Sequence, residues 1–394
     1  MTDKLPAPVF RLAFRSFFLA GSIFSFVAIL AWVLLLNGKL TMSPYGGVIF
    51  WHSHEMLFGF VSAIVVGFLL TAVQTWTSTP SIKGAPLAGL TALWLAGRLG
   101  AVFNWPQPEF YALLDLAFLP SAAFFLARPI FKVRQYRNMF FVPVLLLMTL
   151  ANGLMHAGVI YHDPVWISQG ANLCVWLVVF IMGVLGGRVI PMFTANGTRT
   201  QKTEPIKALE KVTLGSTLLL ALIHGLNLQQ QLAPWLMAAL FGIAGVSHGV
   251  RWLRWRFWVG LRTPLVWSLH TAYCFIPMGL LTAAGGHALG ITIAPSTLLH
   301  FFTAGAMGAL IVAMMSRVSL GHSGRPLSPA KLMTPCFAAI FLAGLCRSLM
   351  VVLLPQWHEL WLNLSSALWL CAFAGFIWVY TPILTRPRID GKPG

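Results

Sequence analysis

Charged residues are scarce in this sequence, and acidic residues are scarcer still. Only 9% of the 394 residues are charged, nine residues are Asp or Glu, and 58% are hydrophobic. Soluble domains carry about 25% charged residues, so a soluble fold of this length could not bury so much apolar surface. The chain also lacks a CxxC pair, a CxxCH haem-attachment motif and a zinc-type cysteine pattern. It therefore offers no motif for c-type haem, an iron–sulfur cluster or a disulfide framework.

Long apolar runs dominate the sequence instead. A transmembrane helix needs about 20 such residues, and twelve runs of about that length are separated by short polar, Gly- or Pro-containing connections. We therefore predict an all-α polytopic membrane protein with about 12 transmembrane helices, forming a single integral membrane domain over residues 1–394. The runs are Phe17–Leu36, Phe50–Val73, Ala85–Asn104, Glu109–Ala127, Asn138–Ile160, Val165–Ile190, Ala208–Leu226, Ala233–Val250, Pro264–Ala284, Ser296–Val318, Thr334–Leu354 and Trp357–Tyr380.

The basic residues predict the orientation of these spans. The net charge is +17, but the charges lie in short loops between apolar runs, so we expect no nucleic-acid partner. If the N-terminus is cytoplasmic, 23 of the 26 lysines and arginines fall in cytoplasmic segments. Of the others, Lys39 falls in an outer loop, and Arg98 and Arg347 fall inside spans. This asymmetry follows the positive-inside rule and predicts that both termini are cytoplasmic.

Short motifs recur at intervals of several spans. In span 2, His54 is followed five residues later by Gly59, and in span 10, His300 is followed five residues later by Gly305. Span 6 ends with Gly187-Arg188-Val189, and span 10 ends with Ser316-Arg317-Val318. These recurring motifs indicate that spans 2, 6 and 10 occupy equivalent positions, and they predict a pseudo-threefold repeat of four-helix units.

Histidines provide the main candidates for chemistry. With the predicted orientation, five of them lie in the outer third of the membrane: His52, His54, His156, His224 and His300. His270 lies in span 9, somewhat closer to the cytoplasm. Ionisable groups inside a membrane are costly and usually mark function, and neutral imidazole is a common ligand for iron and copper. The alternative for each is a hydrogen bond to a neighbouring helix.

The spacing in span 2 separates two sets of residues. His52 and His54 are about 200° apart around an α-helix, so they cannot both bind one metal. We predict that His54, with Phe58, faces a haem or copper centre. His52 and Glu55, three residues apart, would share another face and form a second site or a proton path. Glu55 could instead cap the first turn of the span.

Only Glu55 and Asp115 lie well inside spans among the acidic residues. A proton-driven transporter usually needs more carboxylates than this, so we expect at most a short proton route past Glu55 from the outer surface. Arg98 and Arg347 are the corresponding intramembrane cations. They would bind haem propionates by charge-assisted hydrogen bonds, or pair with carbonyl groups at helix ends.

Several of these segments together resemble the NnrS family. The segments that carry the resemblance are Trp51-His52-Ser53-His54-Glu55-Met56-Leu57-Phe58-Gly59-Phe60, Leu95-Ala96-Gly97-Arg98-Leu99, Gly187-Arg188-Val189-Ile190-Pro191-Met192-Phe193-Thr194, His300 to Gly308, and Arg317-Val318-Ser319-Leu320-Gly321-His322-Ser323-Gly324-Arg325-Pro326. The resemblance runs from about Phe10 to the last span. It implies a multi-pass protein of the bacterial inner membrane that carries haem and copper and belongs to the nitric oxide response.

The arrangement is also similar in outline to haem–copper oxidases and nitric oxide reductases, which place haem and metal ligands on spans 2, 6 and 10. The chain departs from them in span 6, where Ala171 and Asn172 stand near the position that matches His300. The adjacent histidine pair of their copper site is also missing. Any kinship is therefore architectural, and a shared fold does not establish a shared function.

We hypothesise that the chain binds haem b, with or without copper, and reduces nitric oxide to nitrous oxide near the periplasmic face, with electrons from quinol. His54 and His300 are the first candidates for metal ligands, followed by His156, His270 and His52. The alternatives are a haem protein that binds or senses nitric oxide without turnover, and a transporter of a small molecule or metal.

Overall fold

The computed structural model describes residues 6–392, and within that range it contains helices and no β-strand. Twelve helices cross the molecule: α1 (Ala13–Leu36), α2 (Gly47–Thr77), α3 (Ala85–Gly100), α4 (Pro108–Lys132), α5 (Phe141–Ile160), α6 (Pro164–Thr198), α7 (Lys207–Gly225), α8 (Pro234–Arg254), α9 (Pro264–Leu289), α10 (Pro295–His322), α11 (Met333–Leu353) and α12 (His358–Thr385). Ten of the helices in this range are long and apolar enough to cross a bilayer. The predicted all-α membrane fold is confirmed.

The helices differ from the predicted runs mainly at their ends. The longest, α6, has 35 residues and continues past the predicted end at Ile190 to Thr198, with Pro191 inside it. In contrast, α3 ends at Gly100 and not at Asn104. Hydropathy marks where the apolar residues stop, whereas a helix continues into the interface until its backbone finds other hydrogen-bond partners.

Two helices contain a π-helical segment, in which the turns are wider than in an α-helix. In α2 this segment is Glu55–Val61, directly after His54. In α10 it is Phe301–Met307, directly after His300. The two His–Gly motifs of the sequence thus have the same local structure, whereas α6 is α-helical throughout. The threefold repeat itself stays a prediction.

The chain forms two compact units. Unit 1 contains α1 to α5, the first part of α6 and the last parts of α10 and α12. Small residues allow α1 and α2 to pack closely, as is typical of membrane helices. A Cβ atom at Gly21 would lie 2.8 Å from the Ile64 side chain, and one at Gly67 would lie 2.8 Å from Phe17.

Unit 2 contains the remainder of α6, α7 to α9, most of α10, α11 and the first part of α12. Its π-helical segment lies between α9 and α11. A Cβ atom at Gly279 of α9 would lie 2.7 Å from Phe301, and one at Gly344 of α11 would lie 2.7 Å from the Cα atom of Gly305. The segment after His300 is therefore packed on both sides by small residues.

Candidate metal centre

Seven polar side chains form one buried group in unit 1, which we call the polar cluster. Each of them is at most 5% exposed. They come from the loop before α2 and from α2, α3, α4 and α5, and each lies within a few turns of the outer end of its helix. The members are Tyr45, His54, Glu55, Arg98, Asp115, Asn152 and His156. The predicted common depth of His54 and His156 is therefore seen in the structure.

Asp115 is the centre of the polar cluster. Its Oδ1 atom pairs with the Arg98 guanidinium. Its Oδ2 atom accepts a hydrogen bond of 2.7 Å from the Asn152 amide. The same oxygen lies 3.3 Å from His54 Nε2 and 3.2 Å from His156 Nε2. One carboxylate on α4 thus connects α3, α2 and α5.

Three oxygen atoms of neighbouring side chains lie close to the two ring nitrogens of His54. Its Nδ1 atom lies 2.8 Å from Glu55 Oε1. Its Nε2 atom lies 2.8 Å from Asn152 Oδ1 and faces Asp115 Oδ2. All three partners are hydrogen-bond acceptors, because the Asn152 amide nitrogen is already directed at Asp115. A neutral imidazole has only one N–H, so a second proton, on His54 or on Glu55, or a metal ion at Nε2 would satisfy these contacts.

A metal ion fits between three of these ligand atoms. One atom from each of His54, Asp115 and His156 lies within 4.8 Å of the other two. Two of the three separations are the 3.3 Å and 3.2 Å given above. Ligand atoms about 2.0–2.2 Å from a tetrahedral ion are about 3.3–3.5 Å apart. An ion at this point would take the place of protons shared among the three side chains.

In both histidines the Nδ1 atom, which faces away from Asp115, has a hydrogen-bond partner, as is usual for histidines that bind a metal. The Nδ1 atom of His54 can donate to the Glu55 carboxylate, and the Nδ1 atom of His156 lies 3.2 Å from the Tyr45 hydroxyl. Such bonds fix the tautomer and direct the Nε2 lone pair toward the metal. Both Nε2 atoms face Asp115 Oδ2, so the ligand atoms of the two histidines and of Asp115 point toward one common position.

Arg98 balances most of the negative charge. Besides its pair with Asp115, its Nε atom lies 3.3 Å from Glu55 Oε2. Two carboxylates and one guanidinium leave one net negative charge, which a proton on His54 or a bound cation would neutralise. Arg98 thus pairs with two protein carboxylates, and its Nη1 atom is buried without a hydrogen bond. Its predicted role as a propionate partner stays a prediction. The π-helical segment contributes as well, since the Gly59 carbonyl accepts a hydrogen bond from the Trp94 indole of α3.

Comparison with known proteins agrees with the sequence motifs. A family model described as NnrS protein matches residues 8–388. The chain belongs to the NnrS family. This confirms the resemblance on which the family assignment rested, and it places the chain in the context of the nitric oxide response. A search of curated proteins found no match.

His52 occupies a different environment from the rest of the NnrS signature segment. Its ring stacks on Trp32 of α1, with centroids 4.0 Å apart and planes at 14°. The backbone N–H of Glu55 bonds to the carbonyls of Trp51 and His52, so the helical spacing between His52 and Glu55 is kept and the π-helical segment follows it. The predicted second site or proton path at His52 and Glu55 stays a prediction. Glu55 contacts His54 and Arg98. The contact of His54 with Phe58 is present, with ring centroids 5.3 Å apart.

The other candidate ligands belong to unit 2. His300 has its Nδ1 atom bonded to the Ser296 carbonyl, so the Nε2 atom carries the lone pair. His270 has its Nε2 atom 2.8 Å from the Thr194 hydroxyl, and its buried Nδ1 atom has no partner. One buried nitrogen of Arg347 also has none.

A haem fits the polar cluster less well. Its iron would have to bind His54 Nε2, where Asn152 Oδ1 already lies at 2.8 Å and Asp115 at 3.3 Å. Both side chains, together with α4 and α5, would have to move to admit the porphyrin. Of the predicted ligands, His54 and His156 thus lie in unit 1 with Asp115, and His270 and His300 lie in unit 2.

Sequence reasoning missed Asp115, Asn152 and Tyr45 as members of the site. The signal for Asp115 was present, because it is one of two acidic residues well inside a span. Asn152 precedes His156 by four residues, which places the two on one face of α5. Tyr45 lies before α2 in a loop, and no periodicity indicates that its hydroxyl reaches His156.

Proposed function

We propose that this chain acts on nitric oxide at a metal centre inside the membrane, and that a copper ion is bound there by His54, Asp115 and His156. The observation that supports the proposal most strongly is the convergence of three ligand atoms within 4.8 Å in a fully buried position. Imidazole is a ligand that copper, iron and zinc all accept, and we choose copper because the NnrS resemblance implies it.

The position of the polar cluster suits nitric oxide as a ligand. Nitric oxide is small and uncharged, so it can reach a buried site through lipid without a polar channel. The residues around His54 include Phe50, stacked at 5.0 Å between centroids, and Phe58. These rings exclude water from one side of the site, and a low-dielectric surrounding strengthens the charge interactions within it.

Reduction of nitric oxide to nitrous oxide is the reaction that we propose. Two molecules of nitric oxide take up two electrons and two protons, and they yield one nitrous oxide and one water. A quinol supplies two electrons and two protons and becomes a quinone, so the reaction is balanced. Glu55 is the proposed proton relay, because its Oε1 atom contacts His54 and its Oε2 atom is buried beside Arg98 Nε. As a carboxylate it would take up a proton and pass it to the site.

We propose that His300 of unit 2 would hold haem b. The Nδ1–carbonyl bond of His300 gives the tautomer that metal-binding histidines use. Arg347 lies three residues after Gly344, which packs against Gly305 of the same π-helical segment. Its partnerless nitrogen suits a propionate. When bound, haem would supply redox chemistry, and the chain would hold and orient it. The bacterial inner membrane is the proposed location, since the quinol pool is there.

Metal analysis of purified protein tests the centre directly. The wild-type protein should contain copper, and His156→Gln and Asp115→Asn should lose it. His358→Gln is the matched control, because His358 is exposed at the start of α12. If His156→Gln still bound one copper ion per chain, the proposal that His54, Asp115 and His156 bind copper together would be wrong.

Turnover separates the proposed enzyme from the alternatives. With reduced quinol, the wild-type protein should consume nitric oxide continuously and release nitrous oxide. Uptake that stops at one equivalent per metal would identify a binding or sensing protein. A preparation without haem absorption, without metal and without uptake would favour a transporter.

A further inference from the structure

A second site lies at the opposite end of unit 1 from the polar cluster. The end of α2, the loop to α3 and the last turns of α4 enclose a cavity of about 390 Å³. Water occupies about 30 Å³ in the liquid, so the cavity has room for about a dozen groups of that size. The lining residues are Thr79, Pro80, Ser81, Ile82, Lys83, Pro86, Phe125, Arg128, Pro129 and Lys132. We call this space the basic pocket.

All charged residues that line the basic pocket are positively charged. Three cations line it, Lys83, Arg128 and Lys132, and none of its residues is acidic. None of the ion pairs found between residues 6 and 392 includes these three side chains. Arg128 and Lys132 are four residues apart and share one face of α4. Three like charges around a cavity repel one another unless an anion lies between them.

A polar atom in the lining also lacks a partner. The Ser81 hydroxyl oxygen is buried and forms no hydrogen bond. Buried hydroxyl groups in proteins nearly always have a partner, so the structure leaves a place for a polar group of a ligand. Ser81 lies between the end of α2 and the start of α3, which brings the hydroxyl close to Lys83 in sequence.

The surroundings of the basic pocket are those of a membrane interface. The pocket lies where α2 ends, α3 begins and α4 ends, and the adjoining Gly84 donates its backbone N–H to the Phe10 carbonyl, just before α1. This is the predicted cytoplasmic end of the spans. On α4, Phe124 is 58% exposed and Phe131 is 57% exposed, so apolar surface continues from the cations toward the lipid.

We propose that the basic pocket binds the phosphate headgroup of an anionic phospholipid, with its acyl chains along the exposed phenylalanines of α4. Basic pockets between helices at the cytoplasmic face are a recurrent form of lipid recognition. Lys83, Arg128 and Lys132 would neutralise the phosphate, and Ser81 would donate a hydrogen bond to one of its oxygens. The site is independent of the metal centre and of its chemistry.

Native mass spectrometry of the detergent-purified full chain tests the proposal, with phosphatidylglycerol and phosphatidylcholine as the probes. We expect one tightly bound phosphatidylglycerol and no comparable binding of phosphatidylcholine. The triple variant Lys83→Gln/Arg128→Gln/Lys132→Gln should bind phosphatidylglycerol at least about tenfold more weakly. Ser81→Ala, which keeps every cation, should weaken it about two- to tenfold.

The matched control is Lys202→Gln/Lys207→Gln/Lys211→Gln. It removes the same charge from the same predicted face, and its three lysines are exposed and lie outside the basic pocket. An equal loss of affinity in control and pocket variants, or equal binding of the two lipids, would overturn the proposal. Thermal stabilisation by inorganic phosphate as large as that by phosphatidylglycerol would also overturn it, since the ligand would then be the free ion. Arg128→Gln alone, at an exposed position, provides a test if the triple variant does not fold.

Discussion

Arg98 of α3 and Asp115 of α4 form an ion pair inside unit 1, at a depth where neither side chain meets water. The pair joins two neighbouring helices and also orients the carboxylate that the two histidines face. Its removal should therefore affect stability and metal binding together.

A double-mutant cycle measures this coupling. Loss of one partner of a buried ion pair costs about 3–5 kcal/mol, because the other charge stays buried and unpaired. Arg98→Met and Asp115→Leu should each lower the thermal unfolding temperature in detergent strongly. The double variant should lose less than the sum of the two. Strict additivity would show that the pair contributes no coupling energy.

Gly59 provides a second test of the packing around Arg98. A Cβ atom at Gly59 would lie 2.6 Å from Phe24 and 3.0 Å from Arg98 Nη1. Gly59→Ala should therefore destabilise the protein by about 1–3 kcal/mol, as overpacking usually does, and reduce its metal content. Gly89→Ala is the control, because nothing lies within 4 Å of a Cβ atom there. That helical substitution should be neutral or slightly stabilising. Equal unfolding temperatures for both variants would contradict the geometry.

His52 and His54 should differ sharply in metal analysis. His54 contacts the polar cluster through both nitrogens, whereas His52 stacks on Trp32. His54→Gln should lose the metal ion, and His52→Gln should keep it. A loss of metal in both variants would return His52 to the ligand set that the sequence predicted.

Arg15 closes the C-terminal end of α12. Its Nη1 atom donates to the carbonyl oxygens of Ile383, Leu384 and Arg386, at 3.1, 3.0 and 2.8 Å. A buried hydrogen bond from a charged group contributes about 1.5–3 kcal/mol. Arg15→Gln should therefore increase hydrogen exchange in the peptide after residue 383. Arg386→Gln, which alters only an exposed side chain and keeps the carbonyl, should leave exchange unchanged.

The segment after α12 should remain in place over a wide pH range. The Arg388 guanidinium beside Asp390 holds the pKa of that carboxyl well below its usual range, and Arg388 also donates to the His322 carbonyl. Because the pKa of Asp390 is lowered on folding, the pair contributes above the ordinary aspartate pKa and is lost only in strong acid. Hydrogen exchange near Ile389 should be the same at pH 7 and pH 5 after correction for intrinsic rates. An increase at pH 5 that Asp390→Asn reproduces at pH 7 would contradict this.

Most of the membrane topology was predictable from the sequence, because each span has to be apolar over its whole length. Local geometry was less predictable. The π-helical segments after His54 and His300 were not predicted, because residue spacing alone does not reveal them. The meeting of His54 and His156 could be predicted only as a common depth. Their contact depends on Asp115 and Asn152, whose positions follow from how α4 and α5 pack.

The charges of the polar cluster have a consequence for synthesis of the chain. Glu55, Arg98 and Asp115 lie on three consecutive helices, so Glu55 enters the translocation machinery before either partner, and Arg98 enters before Asp115. A single charge at the centre of a helix costs about 2.5–3.5 kcal/mol on insertion. Glu55 of α2 can pair with Arg98 only after α3 has been synthesised. Arg98 can pair with Asp115 only after α4 has followed. The first four spans are therefore expected to leave the translocon as a group, and their assembly would precede any loading of metal.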